Sequence, residues 1–226
     1  MSAGTQNRAA IYGIVGKSGS GKGLCVKGEI IKKWRGPILV ASPLEDSDNY
    51  TEVIKGVVCR SITEVVSAIQ RGHKRVVLRT GEFTPAQIAA VKSRDPVAAL
   101  TKIQFDRFCR IAWELTGWMI VVEELSRFTT ASWAPPSWKN LSTAGRHRGL
   151  TLVGVCQRPA QVDKDFFGNC STIRCYKVGF QNDAKVMANT LFCTPADILS
   201  LEQFHYIERD VDGNKNRVGV AKLPKR

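Results

Sequence analysis

Several features are missing from this sequence, and each absence closes off a class of protein. The seven cysteines (Cys25, Cys59, Cys109, Cys156, Cys170, Cys175 and Cys193) include no Cys-x-x-Cys pair, and their number is odd. Most fall in apolar stretches, so they read as small core side chains in a reducing compartment and not as a disulfide framework. His73, His147 and His205 share no metal-ligand spacing with one another or with the cysteines, and no zinc site is expected. No apolar run reaches the ~18 residues needed to cross a bilayer. The polar residues 1–8 lack the apolar core of a signal peptide. A soluble or peripherally attached chain is expected. Acidic residues are also scarce: 20 Asp and Glu stand against 33 Lys and Arg, a formal charge of +13. That excess favours a polyanionic partner, either nucleic acid or an acidic membrane surface.

What is present suffices for one folded unit. Hydrophobic residues make up 43% and charged residues 23% of 226 residues, outside the disordered range and long enough to bury a core without disulfides or metal. No internal repeat, low-complexity tract or linker divides residues 1–226, which are read as a single domain. Short apolar runs at residues 10–15, 37–41, 75–79, 118–122, 150–156 and 172–178 alternate with helical patterns. This is the signature of an α/β fold with a mostly parallel central sheet flanked by helices. Helices are expected at 24–34 and at 62–70, the latter capped by Ser61 with Glu64 three residues on. A longer helical region runs from Thr84-Pro85 towards Gly117, broken near Asp95-Pro96. Residues 132–139, with Trp133, Pro135, Pro136 and Trp138, read as an ordered loop. Strand-like segments at 204–209 and 217–223 flank Val211-Asp212-Gly213-Asn214, a C-terminal β-hairpin.

The first chemical motif is Gly16-Lys17-Ser18-Gly19-Ser20-Gly21-Lys22-Gly23, between a strand and a helix. Its glycines let backbone N–H groups turn inward around phosphate oxygens, and the helix adds its positive end. Lys22 is placed for the β- and γ-phosphates of a nucleotide such as ATP. One position departs from the usual pattern. Gly23 stands where a Ser or Thr hydroxyl ordinarily meets Mg²⁺, so the metal would rely on phosphates, water and an acidic side chain, with Ser20 a non-standard helper.

The second motif is the apolar run Trp118-Met119-Ile120-Val121-Val122 ending in Glu123-Glu124. Two carboxylates at the end of a buried strand put one acid near a metal and the next near an attacking water. Glu123 is the candidate for Mg²⁺ and Glu124 the candidate general base. The third is Gly145-Arg146-His147-Arg148-Gly149, then the strand to Cys156, then Gln157-Arg158-Pro159. Gln157 suits a sensor of the γ-phosphate. Arg146 and Arg148 suit stabilisation of transition-state charge, within the subunit or across an interface, or else a solvated or DNA-facing loop.

Taken together, these motifs resemble the FtsK–HerA superfamily of DNA-translocating P-loop ATPases, over roughly residues 12–180. Residues 163–173, with Cys170-Ser171-Thr172, are similar to the segment that follows the sensor there. Within the superfamily, the chain is most similar to the genome-packaging ATPases of tailless, membrane-containing viruses. The resemblance implies a homo-oligomeric, hexameric ring that threads double-stranded DNA by hydrolysing ATP with Mg²⁺. It also implies a place in the host cytoplasm or on the virion at a packaging vertex, beside a portal or vesicle-membrane protein. Two other readings stay open. A small P-loop phosphotransferase has similar length, although no Arg-rich lid separates the acidic strand from Gln157. A virion assembly protein could bind nucleotide without translocating anything.

Overall fold

The structure, a computed structural model, describes residues 9–211 and 215–221. Among the described residues nine strands form a single sheet: β1 Ile11–Val15, β2 Ile38–Ser42, β3 Val57–Cys59, β4 Arg75–Arg79, β5 Met119–Val122, β6 Thr151–Cys156, β7 Thr172–Tyr176, β8 His205–Asp210 and β9 Lys215–Val220. Their order across the sheet is β3-β4-β2-β5-β6-β1-β7-β8-β9. The first seven in that order run parallel, and β8 and β9 pair antiparallel at one edge. The expected C-terminal hairpin is therefore present as a strand pair, with Asp210 opposite Lys215. Of its turn, residues 212–214 lie outside the described residues.

The strands buried on both faces are runs of Val, Ile and Leu, and alternate residues serve opposite faces. Ile11, Val15, Leu39, Ile120, Val122 and Leu152 join one core. Ile14, Ile38, Val40, Val121, Val153 and Val155 join the other. The first face is covered by α3 (Ile62–Gln70), α5 (Pro96–Glu114), α6 (Pro136–Ala144), α7 (Lys164–Asn169), α8 (Gln181–Leu191) and α9 (Pro195–Leu199). Phe105, Phe108, Phe128, Trp138 and Phe166 form its aromatic centre. On the second face the helix after β1 supplies Cys25, Val26 and Ile31. The short helix α1 (Glu45–Asp48) leads into α2 (Tyr50–Ile54), which brings Tyr50 and Ile54.

Local signals account for most boundaries. The Ser61 hydroxyl accepts from the Glu64 N–H at 3.2 Å and starts α3. Glu64 bonds back to the N–H of Arg60 at 2.8 Å, one residue earlier than a capping box requires. Thr84 and Gln87 form the full reciprocal box before α4 (Pro85–Ala89). Asp95 caps α5 with Pro96 in its first turn, which explains the break in the long helical region. The segment read as a loop at 132–139 needs correction: α6 begins at Pro136, because a proline in the first turn loses no hydrogen bond. The helix after the phosphate loop forms where expected, but Leu24–Ile30 is wound as a π-helix before a 3₁₀ turn at Ile31–Lys33. Six cysteines are buried, Cys193 is half-buried, and all seven are free thiols.

Candidate functional site

In a parallel sheet the loops that leave the strands share one edge. That edge carries the phosphate loop after β1, Glu123 and Glu124 after β5, and Gln157 after β6. β6 lies between β5 and β1 in the sheet, so three motifs far apart in sequence converge.

The loop is built for close approach. A β-carbon at Gly16 would stand 2.5 Å from the Ser20 hydroxyl and 2.7 Å from Cβ of Tyr176. Gly21, at φ +116°, holds a backbone conformation that side chains rarely adopt, with the Tyr176 ring below it. The Lys22 ammonium turns back over the loop and donates to the carbonyls of Gly16 at 2.6 Å and Lys17 at 3.0 Å. Burial lowers its pKa, and the carboxylates of Glu124 and then Glu123 oppose that shift. Both acids therefore act on Lys22 electrostatically. The Ser20 hydroxyl is buried without a protein partner. A glycine cradle, a positioned ammonium and an unpaired buried hydroxyl fit a phosphate chain.

Glu123 continues the sheet ladder, its N–H donating to Ala41 at 2.9 Å. Its side chain is buried and accepts a hydrogen bond from the Tyr50 hydroxyl. Burial pushes the Glu123 carboxyl up to about 7. The Tyr50 bond pulls it down, Asp48 and Glu124 push it further up, and Lys22 pulls it down. Tyr50 is there because β2 ends beside β5 and because Asn49, in the left-handed region at φ 53°, turns the chain between α1 and α2. The Lys27 ammonium lies 4.6 Å from the Tyr50 ring centre and donates to the Asp48 carbonyl, tying the phosphate-loop helix to this segment. Sequence reading missed Tyr50 and Asp48. The available signal was an acidic run with one tyrosine directly after a strand.

Glu124 also sits in the left-handed region, at φ 50° and ψ 52°. A non-glycine residue there is strained, and such strain gathers at working sites. Its carboxylate accepts a hydrogen bond from the Gln157 amide. Arg158, next along, has a structural role. Its Nε donates to the fully buried Asp183 at 2.7 Å, and its guanidinium stacks on Phe180.

Arg146 and Arg148 are not brought to this edge. They lie in the 3₁₀ turn Gly145–Arg148 before β6, at the other end of the sheet. A six-residue strand separates them from Gln157, a span of about 20 Å. Arg146 reaches the Ser171 hydroxyl at 3.4 Å, and Arg148 stacks on Trp113. The within-subunit reading of these arginines is thus corrected: neither reaches its own chain's phosphate loop. Glu123 fits a role as one metal ligand, while Gly23 offers no hydroxyl. Among the described residues no three His, Cys, Asp or Glu side chains gather into a metal cage. Mg²⁺ would have to take most of its ligands from phosphate and water.

A glycine-rich loop after β1, acids after β5 and a glutamine after the intervening strand are arranged as in the P-loop nucleotide-binding fold. No protein-family model matches the chain. No curated protein sequence matches it either. Solved structures do. The genome packaging NTPase B204 from Sulfolobus turreted icosahedral virus 2, in complex with AMP, is similar with a TM-score of 0.68 and 15% identity, over 96% of this chain and 100% of that one. VirB4 of Thermoanaerobacter pseudethanolicus is similar with a TM-score of 0.67 and 10% identity, over 99% and 92%. The bacterial conjugative coupling protein TrwBdeltaN70 is similar with a TM-score of 0.65 and 9% identity, over 97% and 86%. At such identities the likeness is one of fold.

Proposed function

We propose that this chain is an ATP hydrolase that drives double-stranded DNA, the motor of a viral genome-packaging machine. The observation that carries the reading is the Glu124–Gln157 pair, on the same sheet edge as Lys22 and the glycine cradle, in a fold similar to that of a genome packaging NTPase.

The chain's own groups divide the work. Lys22 exchanges its bonds to the Gly16 and Lys17 carbonyls for the β- and γ-phosphates, and the loop's N–H groups hold the rest of the phosphate chain. Mg²⁺, when bound, would neutralise charge on those phosphates, and Glu123 would be its protein ligand. Glu124 takes the proton of the attacking water. The Gln157 amide keeps that carboxylate aimed and senses the γ-phosphate. The +13 charge suits a sequence-independent grip on DNA phosphates.

A steady-state ATPase assay with and without double-stranded DNA, with oligomer mass measured alongside, tests this. Stimulation by DNA of any sequence, weakening steeply with salt, is expected, and Lys22→Ala should abolish both ATP binding and turnover. Phosphate transfer to a small acceptor would make the chain a phosphotransferase. ATP binding without turnover under all conditions would leave an assembly protein. Wild-type affinity for ATP in Lys22→Ala would remove Lys22 from the site.

A further inference from the structure

The loop after β7 holds an aromatic side chain that the phosphate site does not use. Phe180, just before α8, is 54% exposed. One face of its ring is taken by the Arg158 guanidinium, 3.9 Å from the ring centre. The remaining exposure therefore lies on the opposite face and the ring edge. The guanidinium is fixed: Arg158 donates to Asp183, which is fully buried and also accepts from the Ala160 N–H at 3.0 Å. An arginine pinned from below and an exposed ring stacked on it form a rigid platform with one π-face open.

Its position ties it to the phosphate loop. β7 neighbours β1, and the Lys17 N–H donates to the Lys177 carbonyl at 2.8 Å, so β7 ends level with the loop. Phe180 is three residues beyond that bond, which limits its backbone to about 10 Å beyond Lys177. Arg158 follows Gln157 directly, so the platform is joined to the sensor strand on its other side. A nucleotide with its phosphates in the loop extends its base by a comparable distance, and a base is a flat π-system that stacks on exposed aromatic rings.

We propose that Phe180, braced by Arg158 and Asp183, is the seat of the nucleobase of the nucleotide whose phosphates lie in the Gly16–Lys22 loop. This rests on the phosphate-loop reading and adds the recognition of the base. Stacking tolerates any base, so the seat sets affinity for a nucleoside over a bare phosphate chain without strong choice between ATP and GTP.

Calorimetric titrations with Mg–ATP and with Mg–tripolyphosphate, which has phosphates but no base, separate the two readings. Phe180→Ala should weaken ATP roughly tenfold and leave tripolyphosphate unchanged. Phe180→Trp should keep ATP affinity and gain an ATP-dependent change in tryptophan emission. ATP affinity unchanged in Phe180→Ala would overturn the seat while the phosphate loop stands. Equal loss of ATP and tripolyphosphate would assign Phe180 to the loop's own folding and also overturn the seat. Wild-type protein binding neither ligand would overturn the phosphate-loop reading itself.

Discussion

The hydroxyl of Tyr50 donates a hydrogen bond to the carboxylate of Glu123, joining the segment after β2 to the acidic end of β5 inside the core. Glu123 is buried, and burial pushes it up to about 7 despite the Tyr50 bond. A carboxyl whose pKa is raised by folding holds its proton more tightly in the folded chain. Its contribution to stability is full below about pH 4.5 and is lost as pH rises to about 7. The loss is on the order of 3 kcal/mol.

Thermal unfolding of the nucleotide-free protein from pH 5 to 8 checks this. Wild type should lose more stability over the interval than Glu123→Gln, whose amide cannot ionise. Parallel curves for the two proteins would show that Glu123 does not carry the effect.

Glu124 and Gln157 should separate binding from chemistry. Glu124→Gln keeps the shape and the left-handed turn but cannot take a proton, so ATP should still bind while turnover falls by roughly 10²–10⁴. Gln157→Ala leaves the base in place but unaimed, and a loss of about 10- to 100-fold is expected with little change in ATP affinity. Normal turnover in Glu124→Gln would move the base assignment to Glu123.

Much of this edge was legible in the sequence because strand ends are marked by composition. Apolar runs stopping at Gly16, Glu123 and Gln157 fix what lies on the edge once the sheet is parallel. The same logic, carried one step further, separates Arg146 from Gln157: one precedes β6 and the other follows it, so they lie at opposite ends. What could not be read was pairing between distant segments. Nothing local says that Tyr50 meets Glu123, since that depends on β2 lying beside β5. Nor does anything local put Glu124 in the left-handed region, a conformation imposed by its surroundings against its own preference. α8 was also missed. It has no side-chain cap, and its N-terminal neighbour is the exposed Phe180.

The unusual Gly23 admits a direct substitution. Its backbone is in the ordinary right-handed helical region, at φ −59° and ψ −36°, and an added β-carbon would meet nothing within 4 Å. Gly23→Ser should therefore fold with unchanged or slightly higher stability. Its hydroxyl should tighten Mg–ATP binding by roughly three- to tenfold, while ATP without metal binds as before. Titration with and without Mg²⁺ measures both. A drop in unfolding temperature would mean that this position needs glycine after all.

Arg146 and Arg148 lie about 20 Å from Gln157 of their own chain, counting the residues of β6. If either stabilises charge on the γ-phosphate, it must do so in a neighbouring subunit, and the site is then complete only at an interface. Activity should fall faster than linearly on dilution as assemblies come apart. Arg146→Ala and Arg148→Ala should each bind ATP normally, and the one that removes the finger should lose turnover by roughly 10³-fold or more. Mixing that variant with Glu124→Gln makes the sharper test, since each is inactive alone. In a mixed assembly some interfaces would pair an intact Glu124 with an intact arginine, and part of the turnover should return. The partners of the two arginines bear on which it is. Arg146 is exposed and held by one 3.4 Å bond to Ser171, whereas Arg148 is half-buried against Trp113. Arg146 is therefore the freer to reach across. No recovery in mixtures shown to share assemblies, with activity linear in protein down to monomer concentrations, would place both arginines on DNA or in the fold.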